Sequence, residues 1–143
     1  MTLTEKLSHL TAINLETLFD EVLKENEDEI CNMNKSQMYE EGVMNVKIGG
    51  QEHYSPATIK AKKRAPFSKT EFVTLKWMGD FYKSLKLIIF KDKFIIASDN
   101  RIWGNFLEPN SRFGSALGMT NESKAELREI ARDEMIKKLR SKL

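Results

Sequence analysis

The stretch that decides the fold runs from Thr74 to Ser98 and reads TLKWMGDFYKSLKLIIFKDKFIIAS. It contains two apolar runs, Leu85–Phe90 and Phe94–Ala97, which are joined by the polar connection Lys91–Lys93. Short runs of Ile, Leu and Phe on either side of a three-residue polar connection are typical of a hairpin. The sequence therefore predicts an antiparallel β-hairpin at the centre of the chain.

Side chains alternate between the two faces of a strand, and both faces of this hairpin are largely apolar. A sheet that buries both faces needs a covering layer on each side. The chain's own helices can cover one face, while the second face is covered either by the chain's own helices and loops or by another copy of the chain. One face carries Leu85, Leu87, Ile89, Phe94 and Ile96, and the other carries Lys86, Ile88, Phe90, Ile95 and Ala97.

The helices flanking the hairpin follow from apolar periodicity and capping residues. Residues 3–25 have leucines at helical spacing, and Asn14 offers a second cap at which this helix can break. We expect residues 26–30 to form an exposed end or a turn, and a second helix to run from about Ile30 to Glu41 with Gly42 ending it. Ser55 and Pro56 form a strong start for a short helix, because serine caps and proline suits the first turn.

The last helix is predicted to begin at Thr120 or Asn121 and to run to about Lys142. At roughly 1.5 Å per residue it would be about 33 Å long. That exceeds the small sheet, so part of the helix is expected to make another contact. Residues 43–53 are expected to form a loop with an extended piece at 46–48, and residues 102–107 a short strand or irregular segment on the sheet. The predicted fold is α+β, with N-terminal helices, a central antiparallel β-hairpin or small sheet, and a long C-terminal helix.

Length and composition predict one domain spanning residues 1–143. The net charge of +2 is too small to indicate a nucleic-acid or membrane partner. The charge is unevenly placed: residues 1–34 carry eight acids and two lysines, whereas residues 35–143 carry 21 basic and 13 acidic side chains. Such a division suits head-to-tail association of identical subunits, although solvated helix faces explain it equally well.

The sequence contains no pattern typical of catalysis, metal binding or membrane insertion. His9 and His53 lack neighbours at metal-ligand spacing, and Cys31, the single cysteine, is expected to be a small apolar residue in a helix. The first twenty residues lack the apolar region of a signal peptide, and the longest purely aliphatic or aromatic run, Leu87–Phe90, is far too short to span a bilayer. We therefore expect a protein without enzymatic activity, cofactor or membrane contact, in a reducing compartment.

Two groups of residues remain as candidate binding surfaces. Aromatic and aliphatic residues around the hairpin are candidates for a subunit interface, with core packing as the alternative. A basic cluster before residue 65 is a candidate surface for DNA or for a neighbouring acidic subunit, with a solvated helix end as the alternative. The interface candidates are Trp77, Phe81, Ile88, Phe90, Trp103 and Phe106, and the basic candidates are Lys60, Lys62, Lys63 and Arg64.

Five landmarks follow one another along the chain, namely Gln37–Gly42, Tyr54–Thr58 with Lys62, Thr74–Ser84, Phe113–Gly114 and Leu117–Glu122. Their order resembles the tail-completion or neck group of phage virion-morphogenesis proteins. In that family an N-terminal helix precedes a segment with Ser-Pro, then a Thr-Leu motif with a downstream glycine opens a β-hairpin, and a Phe-Gly phrase introduces the C-terminal helix. Trp77 departs from the pattern, which has a small polar residue before the glycine, and residues 100–111 lack the family's tyrosine-containing phrase.

The resemblance implies a structural virion protein that forms a ring at the head–tail junction, as a neck, tail-completion or tail-terminator component. Its implied partners are copies of itself and the adjacent neck, portal or tail-tube proteins, with non-specific DNA contact in the lumen. The implied location is the virion, assembled in the host cytoplasm. The alternative hypothesis from the basic cluster is a small nucleic-acid-binding regulator.

Overall fold

The computed structural model describes residues 2–45, 49–91, 93–98 and 116–142 of the chain. The fold is α+β, as the sequence predicted. Along the chain the elements are α1 (Leu3–Ala12), α2 (Leu15–Glu25), α3 (Glu27–Glu41), β1 (Met44–Asn45), β2 (Gly50–Gln51), α4 (Pro56–Lys62), α5 (Asp80–Lys83), β3 (Leu85–Ile89), β4 (Phe94–Ser98) and α6 (Asn121–Ser141).

The first predicted helix is divided in two at Asn14. Its side chain accepts a hydrogen bond from the Thr17 backbone N–H at 3.2 Å and so caps α2. Thr2 caps α1 and forms a reciprocal capping box with Glu5. The break separates a helix that contributes Leu18, Val22 and Leu23 to the core (α2) from one with no buried residue (α1).

Helix α3 begins three residues earlier than predicted, so the expected exposed end or turn at 26–30 is limited to Asn26, which ends α2. Glu27, Asp28 and Glu29 occupy its first turn, where negative charge is stabilised by the helix dipole. Ile30 is fully buried, which anchors this turn on the core. Gly42 ends the helix as predicted, with a φ of 84°.

The predicted hairpin is confirmed, with β3 antiparallel to β4. Leu87 lies opposite Ile96 and Ile88 lies opposite Ile95. The turn is closed by a hydrogen bond of 2.7 Å from the Phe90 N–H to the Lys93 carbonyl. The inner face, which includes Leu85 and Ile96, packs in the core beneath α2 and α3.

Three backbone hydrogen bonds join the residues around Val43, Glu52 and Val73. The backbone N–H of Val43 donates to the Val73 carbonyl, that of Val73 to the Glu52 carbonyl, and that of Glu52 to the Val43 carbonyl, at 2.7–2.8 Å. This triangle fixes the region that the sequence predicted as a loop, in which β1 pairs with β2. The predicted extended piece at 46–48 and the predicted segment at 102–107 lie outside the described residues.

The C-terminal helix α6 begins at the Thr120 cap and is 21 residues long, or about 31 Å. Only Leu127 and Ala131 of this helix are buried. It packs along α2, where the Lys138 ammonium donates to the Glu25 carboxylate at 2.8 Å and lies 3.9 Å from that of Glu21. The hydrogen bond to Glu25 raises the pKa of Lys138.

Candidate functional site

The outer face of the hairpin carries exposed apolar side chains. Phe90 is 44% exposed and Ile95 is 41% exposed, whereas Ile96, the next residue on the inner face, is only 7% exposed. Ile88 is half-buried between them. Part of the second apolar face of the hairpin is therefore open to solvent in a single copy of the chain.

An apolar groove continues from this face between α2 and α6. It consists of two depressions, of about 790 and 610 Å³, that share Phe19, Phe94 and Lys124 in their lining. We call the second depression the α2–α6 groove; it is almost entirely apolar, with cations contributed by α6. Its lining is Leu15, Phe19, Phe94, Lys124, Leu127, Arg128, Ala131, Arg132, Met135, Ile136 and Leu139.

Helix α1 presents a leucine stripe that the chain does not cover. Leu3, Leu7 and Leu10 are spaced four and three residues apart, so they lie on one side of the helix. They are 74%, 54% and 40% exposed. Their exposed fractions add up to more than one fully exposed leucine. Burying this apolar surface would contribute on the order of 3 kcal/mol.

Of the six predicted interface residues, two are placed on the surface. Phe90 and Trp77 are exposed, and Ile88 is half-buried. Phe81 is a correction, because α5 turns its ring into the core, where it is 3% exposed and packs edge-on against Tyr82. Trp103 and Phe106 lie outside the described residues. Trp77 precedes α5, and Phe90 follows β3.

One of the four residues of the predicted basic patch, Lys62, does not lie on the surface. Lys62 is fully buried, and its ammonium group donates to the Phe67 carbonyl and lies 5.6 Å from the centre of the Tyr54 ring. Burial lowers the pKa of Lys62. The spacing of the residues could have indicated the burial of Lys62, because Lys62 follows Ile59 by three residues and so lies on the same side of α4.

The remaining members, Lys60, Lys63 and Arg64, are exposed at the end of α4. All three belong to one short helix and the residues that follow it, so their positive charges lie close together. They stay a predicted surface for DNA or for an acidic neighbouring subunit.

Sequence reasoning missed a cluster of lysines and aromatic rings, which we call the lysine–aromatic cluster. The Lys76 ammonium lies 4.2 Å from the centre of the Phe67 ring, 5.0 Å from that of Tyr82 and 5.1 Å from that of Tyr39. The Lys69 ammonium donates to the Tyr39 carbonyl at 2.9 Å and lies 4.7 Å from the centre of the Phe72 ring. Such contacts stabilise a cation over an aromatic face. They tie α3 to residues 63–79, which contain no helix or strand.

The single cysteine and the two histidines lie among apolar neighbours or next to backbone carbonyls. Cys31 is buried among apolar neighbours, and this burial raises its pKa. The ring Nδ1 of His9 lies 3.4 Å from the Lys142 carbonyl, and that of His53 lies 3.1 Å from the Glu71 carbonyl. Among the described residues, no group of three or more His, Cys, Asp or Glu side chains is placed to hold a metal ion. No helix in the same part of the chain is both long and apolar enough to cross a membrane.

Two of the segments that carry the family resemblance contact each other. The Thr74 N–H donates to the Tyr54 hydroxyl at 3.2 Å, and the Tyr82 hydroxyl donates to the Thr74 carbonyl at 2.6 Å. The segment Tyr54–Thr58 therefore binds directly to Thr74–Ser84, which leads through α5 into β3. Residues 117–122 lead into α6, while Phe113 and Gly114 lie outside the described residues. Comparison with protein-family models, curated proteins and solved structures finds no match to this chain.

Proposed function

We propose that this chain is a structural virion protein of a tailed bacteriophage, a subunit of a ring at the head–tail junction. It acts there as a neck, tail-completion or tail-terminator component and has no catalytic role. Its partners are copies of itself and the neighbouring neck, portal or tail-tube proteins. The observation that carries the proposal is the exposed apolar face of the hairpin around Phe90 and Ile95.

An exposed apolar face on a central element suits a subunit that is completed by a neighbour. Contiguous apolar surface on a soluble protein commonly marks an interaction site. Here the hairpin face adjoins a large apolar depression that includes Phe19, Phe94 and Met119. A surface of this kind is suited to contact with a second protein, since its apolar lining is open rather than enclosed around a small ligand.

The order of sequence landmarks supports the phage assignment, and their contacts support treating them as one unit. Tyr54, Thr74 and Tyr82 come from two separate motifs and are joined by hydrogen bonds. The exposed Lys60, Lys63 and Arg64 would face the DNA-carrying lumen or an acidic neighbour in this arrangement.

The proposal is tested by the mass of the protein in solution and by its presence in particles. We expect size-exclusion chromatography with light scattering to give a closed oligomer, and negative-stain imaging to show rings. Phe90→Asp should reduce assembly while leaving the circular dichroism spectrum unchanged, because Phe90 is exposed in the single chain. Lys91→Gln is the matched control, since it makes the same one-unit change in charge at the neighbouring exposed position.

A protein that is monomeric at every concentration and absent from purified particles would refute this function. Binding of duplex DNA by that monomer would instead favour the nucleic-acid-binding regulator. Three exposed cations at the end of α4 then predict a slope of log affinity against log salt of about −2.7. A flat salt response would exclude that alternative.

A further inference from the structure

The leucine stripe of α1 and the α2–α6 groove match in length and chemistry. Helix α1 has ten residues and is about 15 Å long, and the part of α6 that lines the groove, from Leu127 to Leu139, extends over about 18 Å. None of the residues lining the groove comes from α1. The chain therefore carries both an uncovered apolar helix face and an open apolar site of the size to receive it.

Helix α1 needs a tertiary contact to be stable. An isolated helix of fewer than about 12 residues is marginal in water, because nucleation is costly and few hydrogen bonds follow it. Helix α1 has ten residues and none of them is buried. The capping box at Thr2 and Glu5 favours its first turn but covers no apolar surface.

Matching apolar surfaces favour a copy of this chain as the occupant of the groove. The groove lining contains Lys124, Arg128 and Arg132 and no acidic residue. Helix α1 carries one acidic residue, Glu5, and one lysine, Lys6, so its net charge neither opposes nor drives entry. The leucine stripe of α1 and the apolar lining of the groove are therefore the surfaces that match.

We infer that α1 of one copy binds in the α2–α6 groove of the next copy. The inference rests on the proposed assembly of identical subunits and names the contact that links them. Such a contact is heterologous, so that repeating it closes a ring or extends a filament. Ile13 and Asn14 are both in extended conformation between α1 and α2, a short connection across which α1 can be exchanged.

Cross-linking between two different variants tests the contact directly. One preparation carries Leu7→Cys and the other carries Ile136→Cys, and the two are mixed and oxidised. We expect a disulfide-linked dimer that contains one copy of each variant. Ser8→Cys in place of Leu7→Cys is the control, because Ser8 lies about 100° around the helix from Leu7 and should link several-fold less. Equal linkage through both positions would overturn the inference.

A double variant, Leu7→Cys with Ile136→Cys, decides between the next copy and the chain itself. We expect it to form disulfide-linked chains or rings of several subunits. A monomer closed by an internal disulfide at assembling concentrations would mean that α1 folds back into its own groove, and the inference would be wrong. Wild-type protein oxidised in parallel measures any background from Cys31, which is buried.

Assembly measurements separate this inference from the proposed function. Replacing Leu3, Leu7 and Leu10 together by Gln keeps helix propensity and removes the stripe, and should weaken association about tenfold or more. Ser8→Gln should leave association unchanged. If the triple variant assembles as the wild type does, the inference fails while the proposed function stands. If the wild type never assembles, the inference fails, and the proposed function fails with it when the protein is also absent from purified particles.

Discussion

Adjacent residues of β4 offer a sensitive test of how the hairpin is oriented. Ile95 and Ile96 have the same side chain and occupy neighbouring positions in the same ladder, but they point to opposite faces. Substitution by Ala removes three carbon groups, or about 2.4 kcal/mol at full burial. Ile96, at 7% exposed, should lose about 2 kcal/mol from transfer and reach about 3–4 kcal/mol with the cavity that remains. Ile95, at 41% exposed, should lose about 1.4 kcal/mol, because its neighbours and water can fill the space.

The assay is urea unfolding followed by circular dichroism, at a concentration where light scattering gives the monomer mass. Because both positions share any loss of β-propensity, the difference between the variants reports burial alone. A difference of about 2 kcal/mol corresponds to a shift of about 1 M in the urea midpoint for a typical slope. Equal costs at Ile95 and Ile96 would mean that the chain itself covers the outer face. In that case the reasoning that leads from the hairpin to assembly would be wrong.

Two further predictions concern the single chain. Gly42→Ala should destabilise the protein by about 2–4 kcal/mol in urea unfolding, because φ is +84° there and an added Cβ would lie 2.5 Å from the Phe72 ring. Gly49→Ala is the control and should cost about 1 kcal/mol, since Gly49 also has a positive φ but no atom within 4 Å of an added Cβ. Similar losses at both sites would contradict the close approach of Phe72 to Gly42. Lys62→Met tests whether the ammonium group of Lys62 is buried. Burial lowers the pKa of Lys62 in the folded protein below 10.5, so the unfolded chain keeps this proton to higher pH. The free energy of unfolding of the wild type should therefore rise relative to that of the variant as pH increases from 7 towards 10.5. A stability difference that stays constant over that range would show that Lys62 is solvated in the folded protein.

Long-range packing decided which partners the buried polar groups bind, and no local pattern contained those partners. In the sequence Lys62 looks like one of four equivalent cations. Its spacing from Ile59 indicates the inward side of α4, but its hydrogen-bond acceptor, the Phe67 carbonyl, comes from the irregular segment after α4. The buried amide of Asn34 is a second case, since it donates to the Ala116 carbonyl and accepts from the Gly118 N–H, more than 80 residues away. Such partners are set by tertiary contacts and leave no periodic trace in the sequence.

The sequence by itself determined the hairpin, its two-faced apolar pattern, the helix ends at Asn14, Gly42 and Ser55, and the long final helix, because each depends on residues only a few positions apart. Only the tertiary structure decided which apolar residues are core and which remain exposed. Phe81 and Phe90 look alike in sequence, and the turn of α5 buries the first while the second stays open at the end of β3. Burial depends on the neighbours that the whole chain brings together, and so it appears only after the chain has folded.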